Sequence, residues 1–277
     1  MNSKEIYLCD TTLRDGEQSC GFAFPPNIKI RLARLLDDAG VYQIEAGIPA
    51  MGNCEKDAIC GIMDVRKKAR IAVWSRMRKE DIVNAFDCRP DIIHISAPVS
   101  DIMIKTMLHK DRSWVVQTLK DCVAQAREKG YEVSVGFQDA SRSDMAFMIR
   151  LARMVSRLGA QILRLADTVG ILTPLRCREM MKMLSEETDM ALGIHTHNDL
   201  GMADAVALEA VRGGAVLVDA TLFGIGERAG NCHLQRFAAG ASQCFDIKPD
   251  REQLARLDAE SMRLLLAQHG MSRWMQQ

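Results

Sequence analysis

His195 and His197 close a short apolar run, Ala191 to Ile194, and are followed by the loop-forming residues Asn198-Asp199-Leu200-Gly201. Such a run reads as a buried strand, and strand side chains alternate faces with a period of two, so both imidazoles point the same way at its carboxyl end. Two imidazoles on one face can hold a divalent metal. An isolated pair of this kind is equally well explained as one core histidine beside a solvent-facing one, so the rest of the chain has to decide. Asp10-Thr11-Thr12-Leu13-Arg14-Asp15-Gly16-Glu17-Gln18 sets a cation beside a carboxylate after the first strand-like run. On a surface, an Arg–Asp pair is worth little. Facing two histidines across a shared mouth, Asp15 becomes a third metal ligand and Arg14 a donor to a developing oxyanion. Asn231, at the end of Gly224-Ile225-Gly226-Glu227-Arg228-Ala229-Gly230-Asn231, can add a carbonyl oxygen. Two nitrogens and two oxygens with positions left open suit a Lewis-acid site for one Zn²⁺, Mn²⁺ or Mg²⁺.

The elements that must bring these residues together are readable from periodicity. Strand-like runs begin at Ile6, Tyr42, Ile71, Ile92, Val133, Ile162, Leu192 and Val216, with helical spacing between them, including Ile28–Ala39, Glu55–Lys67 and Ser113–Lys129. Strands joined by crossover helices are parallel, and eight such units in about 245 residues predict a closed (β/α)8 barrel of the α/β class over residues 1–245. Residues 246–277 read as a helical extension, with a helix over Glu252–His269, that caps or flanks the barrel. In such a barrel the active site lies at the carboxyl ends of the strands. The polar clusters fall there: Asp10–Gln18, Glu45, Gln138-Asp139, Asp167-Thr168, His195 with His197, and Gly224–Asn231. The glycine-rich stretch has the spacing G-x-G-x-x-x-G and follows the last strand, so it is no dinucleotide fingerprint; a tight turn explains it as well as a direct ligand contact.

Composition narrows the classes. With 36 Lys+Arg against 36 Asp+Glu, no net field draws the chain to nucleic acid or an anionic membrane. No apolar stretch reaches the length of a membrane span, and the polar start Met1–Glu5 lacks a signal-peptide pattern. The nine cysteines form no C-x-x-C pair and read as reduced thiols of a cytoplasmic protein. The basic run Arg66-Lys67-Lys68-Ala69-Arg70 reads as solvated surface.

Together, the runs at 10–18, 195–201 and 226–231 resemble the metal-dependent aldolase-type barrels, the DRE-TIM or HMGL-like group of isopropylmalate, citramalate and homocitrate synthases and hydroxymethylglutaryl-CoA lyases. Within that family the chain is most similar to nitrogenase-type homocitrate synthases, through Glu45-Ala46-Gly47-Ile48-Pro49, Pro98-Val99-Ser100-Asp101, Asp139-Ala140-Ser141-Arg142 and Ala166-Asp167-Thr168-Val169-Gly170. The resemblance implies an acyltransferase that condenses acetyl-CoA with a 2-oxo acid, with 2-oxoglutarate favoured. It implies metal ligation by Asp15, His195 and His197 with Asn231 as a further ligand or supporting group. It further implies carbonyl polarisation by Arg14 and a 2-oxo acid pocket lined by Gln18, Glu45, Arg76 and Thr168. Two departures stand out. Gln138 occupies a position where the synthases carry glutamate, and an amide cannot accept a proton near neutral pH, although it can still orient water or substrate. The sequence also ends without the helical region that supplies a histidine to the neighbouring subunit in those enzymes, and His269 does not match that motif. These departures predict a homodimer or a hetero-oligomer with a chain supplying that region. The alternatives are a carbon–carbon lyase of the same family, disfavoured by a loop after strand eight without cysteine, and a metal- and oxo-acid-binding subunit without turnover. Cys20 and Cys232 are the thiols near the rim and read as packing residues, and His94 reads equally as a pocket or a core residue.

Overall fold

The structure, a computed structural model, describes residues 5–269. Eight parallel strands form a closed barrel: β1 (Glu5–Asp10), β2 (Gln43–Glu45), β3 (Arg70–Arg76), β4 (Ile92–Pro98), β5 (Glu132–Gln138), β6 (Ile162–Asp167), β7 (Ala191–Thr196) and β8 (Leu217–Ala220). Pairing of β1 with both β8 and β2 closes the cylinder. The strands alternate with α1 (Pro26–Asp38), α2 (Asn53–Val65), α3 (Lys79–Phe86), α4 (Arg112–Glu128), α5 (Met145–Arg157), α6 (Pro174–Ser185), α7 (Ala203–Gly213) and α8 (Leu234–Ala241). All eight strand-like runs read from the sequence are strands. Among the described residues no helix is long and apolar enough to cross a membrane.

Local chemistry explains the boundaries. Pro26 starts α1, and Gly40, with φ of 88°, ends it in the left-handed region. The side chains of Asp111 and Asp144 cap α4 and α5 by accepting the backbone N–H groups of Trp114 and Ala146. The basic run before β3 is more than solvated surface. The Asp37 carboxylate accepts the backbone N–H groups of Lys67, Lys68 and Ala69, and Arg66, Lys67 and Arg70 pair with Asp91, Asp38 and Glu132.

Helical turns are expected after Asp246, but the first three residues form a ninth strand, β9 (Asp246–Lys248). The reason is geometric: β2 is only three residues long and pairs with Cys9 and Asp10, which leaves the start of β1 an open edge. β9 fills it, pairing Asp246, Ile247 and Lys248 with Glu5, Ile6 and Tyr7. Helix α9 (Arg251–His269) then packs on the barrel through Leu254, Leu257, Leu264 and Leu265. The side chain of His269 and residues 270–277 lie outside the described residues.

The barrel interior changes character along its axis. Ala72, Ile92, Ile162 and Leu217 close the amino-terminal end together with Tyr7 and Tyr42, whose rings lie 4.4 Å apart. Two residues further along the same strands, the inward positions hold Trp74, His94, Arg164 and Asp219, all of which line a cavity of about 300 Å³ opening at the carboxyl ends. The period of two thus carries each strand from apolar plug to polar site in one step.

The loops at that end are anchored from outside by a buried cation. Lys29 on α1 is 1% exposed, and its ammonium lies 2.6 Å from Glu17 after β1 and 2.7 Å from Glu55 on α2. Glu17 also accepts the N–H of Phe24, and Glu55 that of Ile48. Removing one partner of a buried ion pair strands the others, so Lys29→Met is expected to cost about 3 kcal/mol, measurable by urea unfolding. A loss below about 1 kcal/mol would show that the clamp is dispensable.

Candidate metal centre

Asp15, His195 and His197 each offer a ligand atom, and these atoms lie within 4.8 Å of one another, with all three residues buried. Each is placed by a different piece of backbone. After β1, the carbonyl of Thr11 accepts the N–H groups of Arg14, Asp15 and Gly16, winding a tight turn that turns Asp15 inward. Asp10 fixes the base of this turn by accepting the Thr12 N–H and hydroxyl, and the Thr12 hydroxyl accepts the Leu222 N–H from the loop after β8. Burial raises the Asp10 carboxyl to about 7 against the opposing effect of the Thr12 hydrogen bonds. His195 is the inward residue of β7, and His197 lies two residues beyond, where its backbone forms a bridge with Asn231.

The loop after β8 folds tightly over Asn231. A Cβ on Gly226 would lie 2.2 Å from the Asn231 side-chain nitrogen, and Gly230 has φ of 87° with the Gly224 carbonyl 2.1 Å from where its Cβ would be. The glycines are there because the backbone approaches itself this closely. Asn231 donates its side-chain N–H to Asp15 at 2.8 Å and to the Ile225 carbonyl at 3.1 Å, and its Oδ1 is buried without a hydrogen-bond partner.

A chain of alternating charge surrounds the cavity. The Arg14 guanidinium is 2.5 Å from both Asp15 and Glu45, and packs 5.7 Å from the centre of the Trp74 ring. Glu45, fully buried, lies 2.7 Å from Arg164, and Arg164 also pairs with Asp219. Asp219 accepts from His195 Nδ1 at 2.9 Å, and His195 Nε2 lies 3.4 Å from Asp15. Burial alone would raise the Asp15 carboxyl, but Arg14 and His195 outweigh it and hold it well below the usual range. For His195 burial works against the charged form, yet Asp15 and Asp219 raise its imidazole to about 9. His197 is opposite in behaviour: burial, with the neighbouring His195, pushes it down to about 3, so it presents a neutral ring with a free lone pair.

These residues fit a divalent cation. Among the described residues the His197 Nδ1 is buried and unsatisfied, as is Asn231 Oδ1, and the His197 Nε2 faces Glu227 at 4.0 Å. Buried polar atoms without partners are rare in folded proteins, and two beside a carboxylate and a second imidazole form a set that a cation would satisfy. His195 is also held through Nδ1 by a carboxylate, the arrangement that orients metal-ligating histidines.

The remaining expected residues divide. Gln18, Gln138 and Thr168 line the cavity with Arg14. Gln138 ends β5 just before Asp139, whose φ of 60° turns the chain sharply and whose N–H donates to Thr168 Oγ1 at 2.8 Å. Glu45 lies beneath the wall, held by Arg14 and Arg164, and acts on the cavity through those two cations. Arg76 is a correction: it ends β3 two residues past the inward-facing Trp74, yet its side chain is 53% exposed and outside the cavity lining, because its guanidinium folds back onto Asp81 at the start of α3. Arg76→Ala is expected to change kcat/KM for the 2-oxo acid by less than about twofold; a tenfold loss would return Arg76 to the site. Cys232 is fully buried, with burial pushing its thiol well up, so it is a packing residue, whereas Cys20 is exposed. His94 is both buried and cavity-lining, with Nδ1 at 2.9 Å from Ser134.

Sequence reading missed Arg164, Asp219, Trp74 and Ser96, all cavity-lining. Arg164 and Asp219 each left a signal: a charged residue inside an otherwise apolar strand, which a fully buried strand tolerates only when the charge is paired.

The HMGL-like family profile matches residues 5–257. "Homocitrate synthase subunit alpha" of Clostridium pasteurianum is 46% identical over 232 residues, which cover 84% of this chain and 86% of that protein. "2-isopropylmalate synthase 2" of Caldanaerobacter subterraneus subsp. tengcongensis is 45% identical over 84% of this chain, but the match spans only 60% of that longer protein. Among solved structures, the HMG-CoA lyase of Bacillus subtilis superposes with a TM-score of 0.83 at 19% identity, covering 98% of this chain and 96% of the lyase, a likeness of fold.

Proposed function

This chain belongs to the HMGL-like family, and we propose that it is an acyltransferase joining acetyl-CoA to a 2-oxo acid, with 2-oxoglutarate as the acceptor, in a metal-dependent Claisen-type condensation. The observation that carries this reading is the meeting of Asp15, His195 and His197 at one mouth, next to Arg14. A divalent cation on those residues would supply Lewis-acid polarisation of the substrate keto group. The chain's own residues supply the rest. Arg14, held by Asp15 and Glu45, is a fixed donor for negative charge developing on the keto oxygen, and a preorganised donor costs no reorganisation when that charge appears. Thr168 and Gln18 offer hydrogen bonds at the cavity wall. Gln138 can orient a bound group but cannot remove the acetyl methyl proton.

The choice of acceptor rests on the cavity floor. His94 and Ser96 line it, so the tail of the 2-oxo acid meets hydrogen-bonding side chains, while the guanidinium of Arg164 beside them is taken up by Glu45 and Asp219. An isopropyl tail there would cover polar groups without pairing them, which costs binding; a second carboxylate would pair with them. Gln138, together with the designation of the Clostridium relative as a subunit, supports a partner chain that supplies the proton acceptor. The same Gln138 favours a second reading, a subunit that binds metal and 2-oxo acid without turning them over.

The test is CoA release from acetyl-CoA with 2-oxoglutarate, 2-oxoisovalerate or pyruvate, with Mn²⁺, Mg²⁺ or Zn²⁺ and after chelation, for the chain alone and with a candidate partner. Metal-dependent release fastest with 2-oxoglutarate is expected. Preference for 2-oxoisovalerate would refute the acceptor, and binding without release under every condition would favour the second reading.

A further inference from the structure

The alternating charges around the cavity close on themselves. Going round, Asp15 meets Arg14, Arg14 meets Glu45, Glu45 meets Arg164, Arg164 meets Asp219, Asp219 meets His195, and His195 returns to Asp15. Two of the groups that the metal reading sets against substrate or cation, Arg14 and His195, are each gripped by a buried carboxylate, Glu45 or Asp219. Both carboxylates are held in turn by Arg164. In the strand order β6 lies four places from β2, so Arg164 spans the barrel to reach Glu45 on the opposite wall.

The sheet is built to let it do so. Arg164 is 3% exposed, and the residues in register with it on both neighbouring strands are glycines, Gly136 on β5 and Gly193 on β7. A Cβ on Gly193 would lie 3.3 Å from Arg164 Cγ, and one on Gly136 would lie 2.4 Å from His94 Nε2. Glycine weakens a strand interior, so these two mark where side chains need the space: Gly193 leaves it to Arg164, and Gly136 leaves it to the neighbouring His94.

We propose that Arg164 is a positioning residue, a strut that fixes Arg14 through Glu45 and His195 through Asp219, so that the carbonyl-polarising donor and the metal ligand are set by one side chain. Its planar fork gives each carboxylate its own N–H at a fixed angle. An ammonium is a point charge on a flexible stem and cannot hold two carboxylates in that relation. The proposal rests on the metal reading of the site for its catalytic consequence, but its structural content concerns the metal-free ring.

The experiment uses full-length protein and two variants, Arg164→Lys, which keeps charge and much of the length, and Arg164→Ala, which leaves room for added guanidinium. In metal-free protein, the downfield proton signal of His195 Nδ1–H, hydrogen-bonded to Asp219, is expected to shift or vanish in Arg164→Lys. In the same variant cobalt affinity and turnover with 2-oxoglutarate are each expected to fall about ten- to a hundredfold, the effect of losing a supporting partner around a metal ligand. Guanidinium at a non-denaturing concentration is expected to restore part of the cobalt affinity to Arg164→Ala, which a purely structural role in folding would not allow. An Arg164→Lys protein whose His195 signal and cobalt affinity both match wild type overturns the proposal, and so does a folded Arg164→Ala protein that regains nothing with guanidinium. Because the His195 signal is read without metal, wild-type protein that takes up no cobalt refutes the metal site while the strut is still decided.

Discussion

His197→Ala is expected to abolish divalent-metal binding and to cut metal-dependent turnover by at least about a thousandfold, while leaving the metal-free fold as stable as before. The first part follows from the ligand set: without His197 only one imidazole and one carboxylate remain from the cluster. Lewis-acid polarisation is worth several kcal/mol of transition-state stabilisation, and each 1.4 kcal/mol is a factor of about ten. The second part is peculiar to His197. Asp15 and His195 are locked into the charge ring, and replacing either strands its partners, whereas the His197 ring has only half-exposed Glu227 near its Nε2, at 4.0 Å, and its buried Nδ1 is unsatisfied. Removing an unpaired buried polar group has no partner to orphan, so the midpoint of urea unfolding of the metal-free protein should stay the same or rise. Metal content by elemental analysis, calorimetric titration and the unfolding midpoint check the three statements. A His197→Ala protein that binds metal as wild type does would remove this residue from the site.

Gln138→Glu is expected to raise turnover of the chain by itself by about a hundredfold, the lower end of what general acid–base assistance supplies. Gln138 lines the cavity at the end of β5, and the left-handed turn at Asp139 fixes its backbone, so the new carboxylate arrives without a change of fold. Arg14 and Arg164 line the same cavity and favour the ionised form, the one able to accept the acetyl methyl proton. Single-turnover measurement of CoA release, alone and with saturating 2-oxo acid, separates chemistry from binding. If the variant binds metal and 2-oxo acid normally and gains nothing, the proton acceptor has to come from elsewhere, in support of a partner chain.

The architecture was legible because it follows from local rules. Runs such as Ile92–Ile95 and Ile162–Leu165, separated by amphipathic helices, admit only parallel pairing, and eight of them close a cylinder. The meeting of Asp15, His195 and His197 was legible because these residues sit on two short motifs at strand ends, where barrel topology brings distant residues to one rim. Arg76 misled because its position at a strand end is real but its direction is not a property of position. Asp81, five residues on, captures its guanidinium.

The sequence by itself determined which strands exist, that they close, and that Asp15, His195 and His197 share a mouth, because periodicity and chain order carry that information. Only the tertiary structure decided which charges pair across the barrel. Arg164 finds Glu45 from a separation of 119 residues and Asp219 from 55, contacts set by barrel closure and by the space that Gly193 leaves. The short β2, the open edge it creates and its repair by β9 belong to the same class: pairing partners are chosen by what neighbouring strands leave unsatisfied, and no single stretch of sequence records that.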